Sequence, residues 1–160
     1  MYISASEGGG DFHFSARNVS FDLCTAEDYG GALDLYRVPR AMGASCENCS
    51  ISRCKSYHSG GAIGLRGTSH LEFSGRGSQV QAPSGGFVAL RSNSRLVVRD
   101  SHFTETRATT AKAGFALLQG KSTILVQETI IDGASAAGQG GTFAAEGRST
   151  VAGALALALH

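Results

Sequence analysis

Cys46, Cys49, Cys54 and His58 stand in the run "CENCSISRCKSYH" with the spacing C-x2-C-x4-C-x3-H. Thiolates and imidazole are the ligands of structural zinc, and four of them could complete a tetrahedral site. The same residues admit a plainer reading, because Cys49 alternates with Ile51 as strand residues do. Cys24 and Cys54 make a second set: each lies six residues before a glycine pair, at Gly30 and Gly60. If the chain repeats there, their α-carbons stack ~4.8 Å apart, within reach of a disulfide. A buried pair of free thiols fits the same spacing.

Carboxylates would carry any glycosidase or lyase chemistry. Asp100 and Glu128 each stand fourteen residues after a repeated glycine, Gly86 and Gly114. One repeat apart, they would lie ~5 Å from each other, the separation of a retaining pair. No denser cluster of acids accompanies them, so a surface column of two charges is the competing reading. Arg66 and Arg91 share one register, His70 and Arg95 another. They could form a basic stripe for acidic glycans, or be solvated turn charges. His13, His58, His70, His102 and His160 have no serine–aspartate companions that would mark a triad. The glycine-rich "SEGGGDF" is followed by neither a lysine–serine step nor a helix signal, so it is not a phosphate loop. No cofactor motif is present, and none is expected.

The elements that must position these groups follow from composition and period. The chain has 160 residues, 42% of them hydrophobic and 17% charged, with a net charge of +1. That balance argues against nucleic-acid binding through phosphate neutralisation. There are 22 glycines but only two prolines and no tryptophan, which suggests close backbone packing rather than a disordered linker. No apolar run reaches the ~18–20 residues that span a bilayer. The opening "MYISASEGGG" lacks the features of a secretory signal. The expectation is either a cytosolic protein or a piece of a longer chain.

Glycine pairs set in register give "GGDFHF" from Gly9, "GGALDL" from Gly30, "GGAIGL" from Gly60 and "GGFVAL" from Gly85. "AGFALL" from Ala113 and "GGTFAA" from Gly140 continue the series. Two and four residues after the second position the side chains are mostly apolar: Phe12/Phe14, Leu33/Leu35, Ile63/Leu65, Val88/Leu90, Ala116/Leu118 and Phe143/Ala145. That alternation predicts a strand. Ser69, Ser94, Ser122 and Ser149 then mark a turn. Leu71/Phe73, Leu96/Val98, Ile124/Val126 and Val151 predict a second inward row. A third short strand fits "CSIS", "HFTE" and "TIID". Three short strands per 21–30 residues are what one turn of a β-solenoid needs. The expected fold is all-β, a right-handed parallel β-helix of about six coils over residues 9–160. Residues 1–8 form an N-terminal extension, and the last coil lacks a full third strand. A β-sandwich is the alternative.

"GGAL" (30–33) and "GGAI" (60–63) resemble the motif of GGA followed by Ile, Leu or Val in chlamydial polymorphic outer membrane protein repeats. More broadly, roughly residues 9–153 resemble right-handed parallel β-helix proteins of the pectin-lyase-like and autotransporter-passenger kind. The companion FxxN motif is not kept: "FDLC" and "ISRC" end at Cys24 and Cys54. The resemblance implies a non-catalytic repeat module of a surface or secreted protein, structural or adhesive, in a longer chain. Its partners would be glycans, another protein surface or further coils, with no nucleic acid and no membrane span. The competing expectations are a carbohydrate-active β-helix enzyme, with Asp100 and Glu128 as its catalytic residues, and an intracellular scaffold.

Overall fold

The computed structural model describes residues 1–4, 13–39 and 43–158, with backbone alone at 2–4 and 154–158. In chain order the strands are β1 (Tyr2–Ser4), β2 (Phe14–Arg17), β3 (Ser20–Asp22), β4 (Thr25–Ala26) and β5 (Leu33–Tyr36). There follow β6 (Ala44–Ser52), β7 (Lys55–Ser56), β8 (Ile63–Arg66), β9 (His70–Ala82), β10 (Val88–Leu90) and β11 (Arg95–Ala108). The series ends with β12 (Ala116–Leu118), β13 (Thr123–Asp132), β14 (Ser135–Ala136), β15 (Phe143–Ala145) and β16 (Thr150–Ala158). Every described pairing between strands is parallel, which excludes the β-sandwich. No helix is long and apolar enough to cross a membrane among the described residues.

The short strands β1, β5, β8, β10, β12 and β15 stack in that order into one sheet. The long strands β16, β13, β11, β9 and β6, with short β2 at the end, stack into the other, and β3, β4, β7 and β14 lie alongside. The result is a parallel β-solenoid of about five turns. The second and third strands expected in each coil run together as one long bent strand in β6, β9, β11 and β13.

The core forms because in-register stacking places like residues over one another. Leu33, Ile63, Val88, Ala116 and Phe143 make one row of the short-strand sheet. Leu71, Leu96 and Ile124, and beside them Cys46, Phe73, Val98 and Val126, face them from the long strands. Residues of both sheets meet in one buried cluster. The alternation rule misses the residue directly after the glycine pair. Phe87 and Phe115 occupy it, fully buried, with parallel rings 5.5 Å apart. Phe103 wedges against them at 4.6 and 4.8 Å. Gly77 makes the room, since a Cβ there would strike the Phe87 ring.

Sharp bends between strands fall in four columns of left-handed residues. One holds Gly30, Gly60, Gly85, Ala113 and Gly140, the first member of each pair. The second member serves close approach: a Cβ on Gly61 would fall on the Gly86 carbonyl oxygen of the next coil. A second column runs Arg37, Gly67, Ser92, Gly120 and Gly147, and a third Leu23, Arg53, Gln79, Glu105 and Gly133. The fourth contains Asn18, Asn48, Asp100 and Glu128.

Four expectations need correction. The turns number about five rather than six. Register explains the first unit: Phe14 lies beside Ala44 in the long-strand sheet, thirty residues on, as Leu33 lies beside Ile63. The pair at Gly9–Gly10 is only 21 residues before Gly31 and falls, with Phe12, outside the described residues. β1 holds the place next to β5 instead, so Tyr2–Ser4 belong to the solenoid and not to an extension. At the other end β16 runs beside β13 as far as Ala158, so the last coil does carry its third strand. Val151, expected inside, is 42% exposed on that strand, which pairs only with β13 among the described residues.

Two substitutions test this register. Leu96 is fully buried, and Leu96→Asp places an unpaired charge among apolar neighbours, so a loss of about 4 kcal/mol or more is expected. Wild-type melting behaviour in that variant would show the register to be wrong. Leu23 is 67% exposed and left-handed, in the column that Gly133 also occupies. Leu23→Gly relieves a bend that disfavours side chains and is expected to gain about 0.5–1 kcal/mol, read from the denaturant midpoint.

Candidate functional site

Asp100 and Glu128 do stack on adjacent coils, since Arg99 pairs with Gln127 and Ser101 with Thr129. Both are left-handed, with φ of 45° and 47°. Asn18 and Asn48 take the same bend at 54° and 49° on the far side of β9. Short polar side chains tolerate this region better than most. The column is thus a corner of the coil. β9 passes it with one residue fewer: Cys46 to Cys49 face only Phe73 to Gly75. Gly75 closes that bend at φ 142°, where a Cβ would fall on the Cys49 carbonyl oxygen. A shallow groove of about 380 Å³ runs past the corner, lined by Asn48, Arg76, Asp100, His102 and Glu128 among others. Among the described residues no hydrogen bond or ion pair holds either carboxylate.

Arg66 and Arg91 share a register as expected, but the stripe is not basic. Continued upward, the column reads Gln119 and Glu146. Arg66 is bound to the Asp34 carboxylate at 2.5 and 3.2 Å and lies over the Tyr29 and Tyr36 rings, at 4.5 and 5.4 Å. Arg91 also lies over the Tyr29 ring, at 4.7 Å, and donates to its hydroxyl at 2.5 Å. Burial pushes the Asp34 carboxyl above its ordinary value, and the Arg66 guanidinium pulls against that shift. Gly64 opens the space for this cluster, because a Cβ there would meet Tyr29 and Asp34. Farther along, Lys112 and Gln119 hold Glu146 at 2.6 and 2.9 Å and draw its carboxyl below the usual range. Tyr29, Asp34 and Glu146 were not legible as partners, since each comes from a different position in its own repeat. His70 and Arg95 also share a register. They part company in environment: His70 is buried, 3.7 Å from Glu72, while Arg95 is exposed.

The recurring serines hold turns. Ser69, Ser94, Ser122 and Ser149 each donate a hydroxyl hydrogen to the carbonyl three residues earlier, at 2.7–2.9 Å. Such local bonds are the ordinary use of serine at a bend.

The cysteines do not form the zinc set, and the disulfide joins a pair other than Cys24 and Cys54. Cys46 and Cys49 form a disulfide across the corner at Asn48, with α-carbons 5.8 Å apart. Both lie on the inner surface, one on each side of the bend, so the bend itself brings them together. Cys54 lies past the next corner, and His58 packs edge-on against Tyr29 at 5.0 Å. The zinc set Cys46, Cys49, Cys54 and His58 is therefore dispersed, and no group of three metal-binding side chains forms among the described residues. Cys24 and Cys54 stack as expected, with the Lys55 amide donating to the Cys24 carbonyl at 2.9 Å. They remain free thiols rather than a disulfide. Burial, with Cys24 close by, pushes the Cys54 thiol up to about 12, which suppresses the thiolate needed for exchange.

Alkylation of the denatured, unreduced protein should label Cys24 and Cys54 only, and all four cysteines after reduction. In the folded protein half-buried Cys24 should react well before buried Cys54. Peptide mapping that finds Cys46 or Cys49 labelled without reductant would contradict this pairing.

No protein-family model, curated protein or solved structure matches the chain.

Proposed function

We propose that this chain is a non-catalytic β-helix repeat module with a structural or adhesive role in a surface or secreted protein. The observation that carries the reading is the corner column. Asp100 and Glu128 occupy the bend that Asn18 and Asn48 occupy elsewhere, so backbone geometry accounts for their alignment without catalysis. Long strands bonded coil to coil make a stiff rod with flat faces, suited to display or adhesion. The tetrapeptides at 30–33 and 60–63 add the resemblance to polymorphic outer membrane protein repeats. The Cys46–Cys49 disulfide supports an oxidising compartment over an intracellular scaffold.

One observation favours a second reading, a carbohydrate-active enzyme. Arg76 and His102 stack beside the two carboxylates in the corner groove, which gathers acidic and basic groups within reach of one ligand. Incubation with a polysaccharide panel that includes polygalacturonate and alginate separates the two. No release of reducing or unsaturated ends is expected from wild type. Turnover that an Asp100→Asn/Glu128→Gln variant abolishes would establish the enzymatic reading instead.

A further inference from the structure

Three asparagines occur in the chain, Asn18, Asn48 and Asn93, and two of them open a run Asn-x-Ser, "NVS" (18–20) and "NCS" (48–50). Register brings the two runs together: Arg17 pairs with Glu47 and Ser20 with Ser50, so both asparagines stand at one corner on adjacent coils. Both are exposed, as are Ser20 and Ser50. The bend accounts for the asparagines, since Asp100 and Glu128 take the same left-handed place in later coils. It does not account for the serines. Their column continues through Arg76, His102 and Ile130, so the coil needs no small hydroxyl two residues past the corner. Unlike the serines that hold turns, neither makes a side-chain hydrogen bond among the described residues. The Asn48 Nδ2 donates to the Asn18 Oδ1 at 2.7 Å, while the Asn18 Nδ2 has no partner among the described residues.

We infer that Asn18 is an N-glycosylation site, modified by a transferase whose donor is an oligosaccharide carried on a lipid diphosphate. The inference rests on the surface or secreted reading above and adds a covalent modification to it. Asparagine followed two places on by serine, with no proline between, is the acceptor run of such enzymes, and it serves them on exposed chain. In the transfer, Asn18 Nδ2 bonds to the anomeric carbon of the first sugar. The bond from that carbon to the diphosphate oxygen breaks, and the lipid diphosphate leaves with the electron pair. One Nδ2 hydrogen departs as a proton. The Asn18 Oδ1 keeps its lone pairs, so it can still accept from Asn48. The Cys46–Cys49 disulfide calls for the same oxidising route through the cell. That disulfide also separates the two runs. It ties together the residues on either side of Asn48, across the bend, and so holds this asparagine away from the extended form that a transferase must thread. Asn18 has no such tether.

The whole chain, directed by a cleavable leader into microsomes that carry the transferase and its donor, tests the site whatever compartment the natural protein occupies. Wild type is expected to gain one glycan, which peptide N-glycosidase removes with conversion of Asn18 to aspartate. Ser20→Ala, an exposed change away from the bend, should abolish the mobility shift, Ser20→Thr should retain it, and Asn48→Gln should leave it unchanged. In Cys46→Ala, which opens the disulfide and keeps the 48–50 run intact, a second glycan is expected on Asn48. Circular dichroism of Ser20→Ala should match that of unglycosylated wild type. No glycan on wild type, a shift that survives Ser20→Ala, or equal occupancy of Asn18 and Asn48 with the disulfide intact would overturn the inference. The polysaccharide panel reads the non-catalytic proposal separately, so an unmodified Asn18 removes the site and not that reading.

Discussion

Parallel in-register bonding from coil to coil is the constraint on which everything else in this molecule depends. The chain of amide bonds Ala32 to Ala62, Ala62 to Phe87, Phe87 to Phe115 and Phe115 to Thr142, at 2.9–3.0 Å, shows it in one column. Each coil satisfies its backbone only through its neighbours. A bend in one coil must therefore be matched by a bend at the same place in the next. All eleven described non-glycine residues with positive φ fall in the four corner columns. A left-handed L-residue costs roughly 1–2 kcal/mol, and the ladder bonds on either side make these bends worth keeping.

That constraint changes what a repeated side chain means. In most folds, like residues brought into line by distant parts of the chain invite a chemical explanation. In a solenoid every position is brought into line, and the backbone selects many of them. Serine recurs at the first turn because its hydroxyl closes the carbonyl three residues back. Asparagine, aspartate and glutamate recur at one corner because the bend there is left-handed. Stacked cysteines recur because a small, weakly polar side chain fits an inner column that elsewhere holds Val80 and Thr106. Alignment alone is weak grounds for chemistry here. What a side chain bonds to, or leaves unbonded, decides more.

The repeat was the legible part of the sequence. Glycine pairs and the alternation after them locate β5, β8, β10, β12 and β15, and the rows at Leu71, Leu96 and Ile124 follow from the same register. Two kinds of residue escaped it. Phe87 and Phe115 sit at a position that Ala32 and Ala62 fill in earlier coils, so no column of like size marks them. The Phe87 ring is accommodated by Gly77 on the opposite sheet, a compensation visible only across the core. The disulfide escaped for a related reason. Cys46 and Cys49 meet because a left-handed Asn48 turns the strand between them, and pattern alone shows alternation there, not a corner. In the first coil a glycine pair at 9–10 imitates the repeat 21 residues before Gly31, while the true register runs at thirty.

Departures from the repeat then carry the individuality of the molecule. Gly64 interrupts an outward column and admits the Asp34–Arg66–Tyr29 cluster, in which half-buried Arg66 and Arg91 both pack over the Tyr29 ring. Tyr57 belongs to a column that continues through Pro83 and Thr109, so neither backbone bend nor core packing requires an aromatic there. Lys55 and Arg107 flank Gln81 on a face whose corner is built from Arg53, Gln79 and Glu105, residues bent by the same ladder but with side chains directed to water. A position that the coil needs is filled by whatever suits the bend. A position that the coil does not need, such as that of Arg107 or exposed Tyr57, can change without cost to the solenoid.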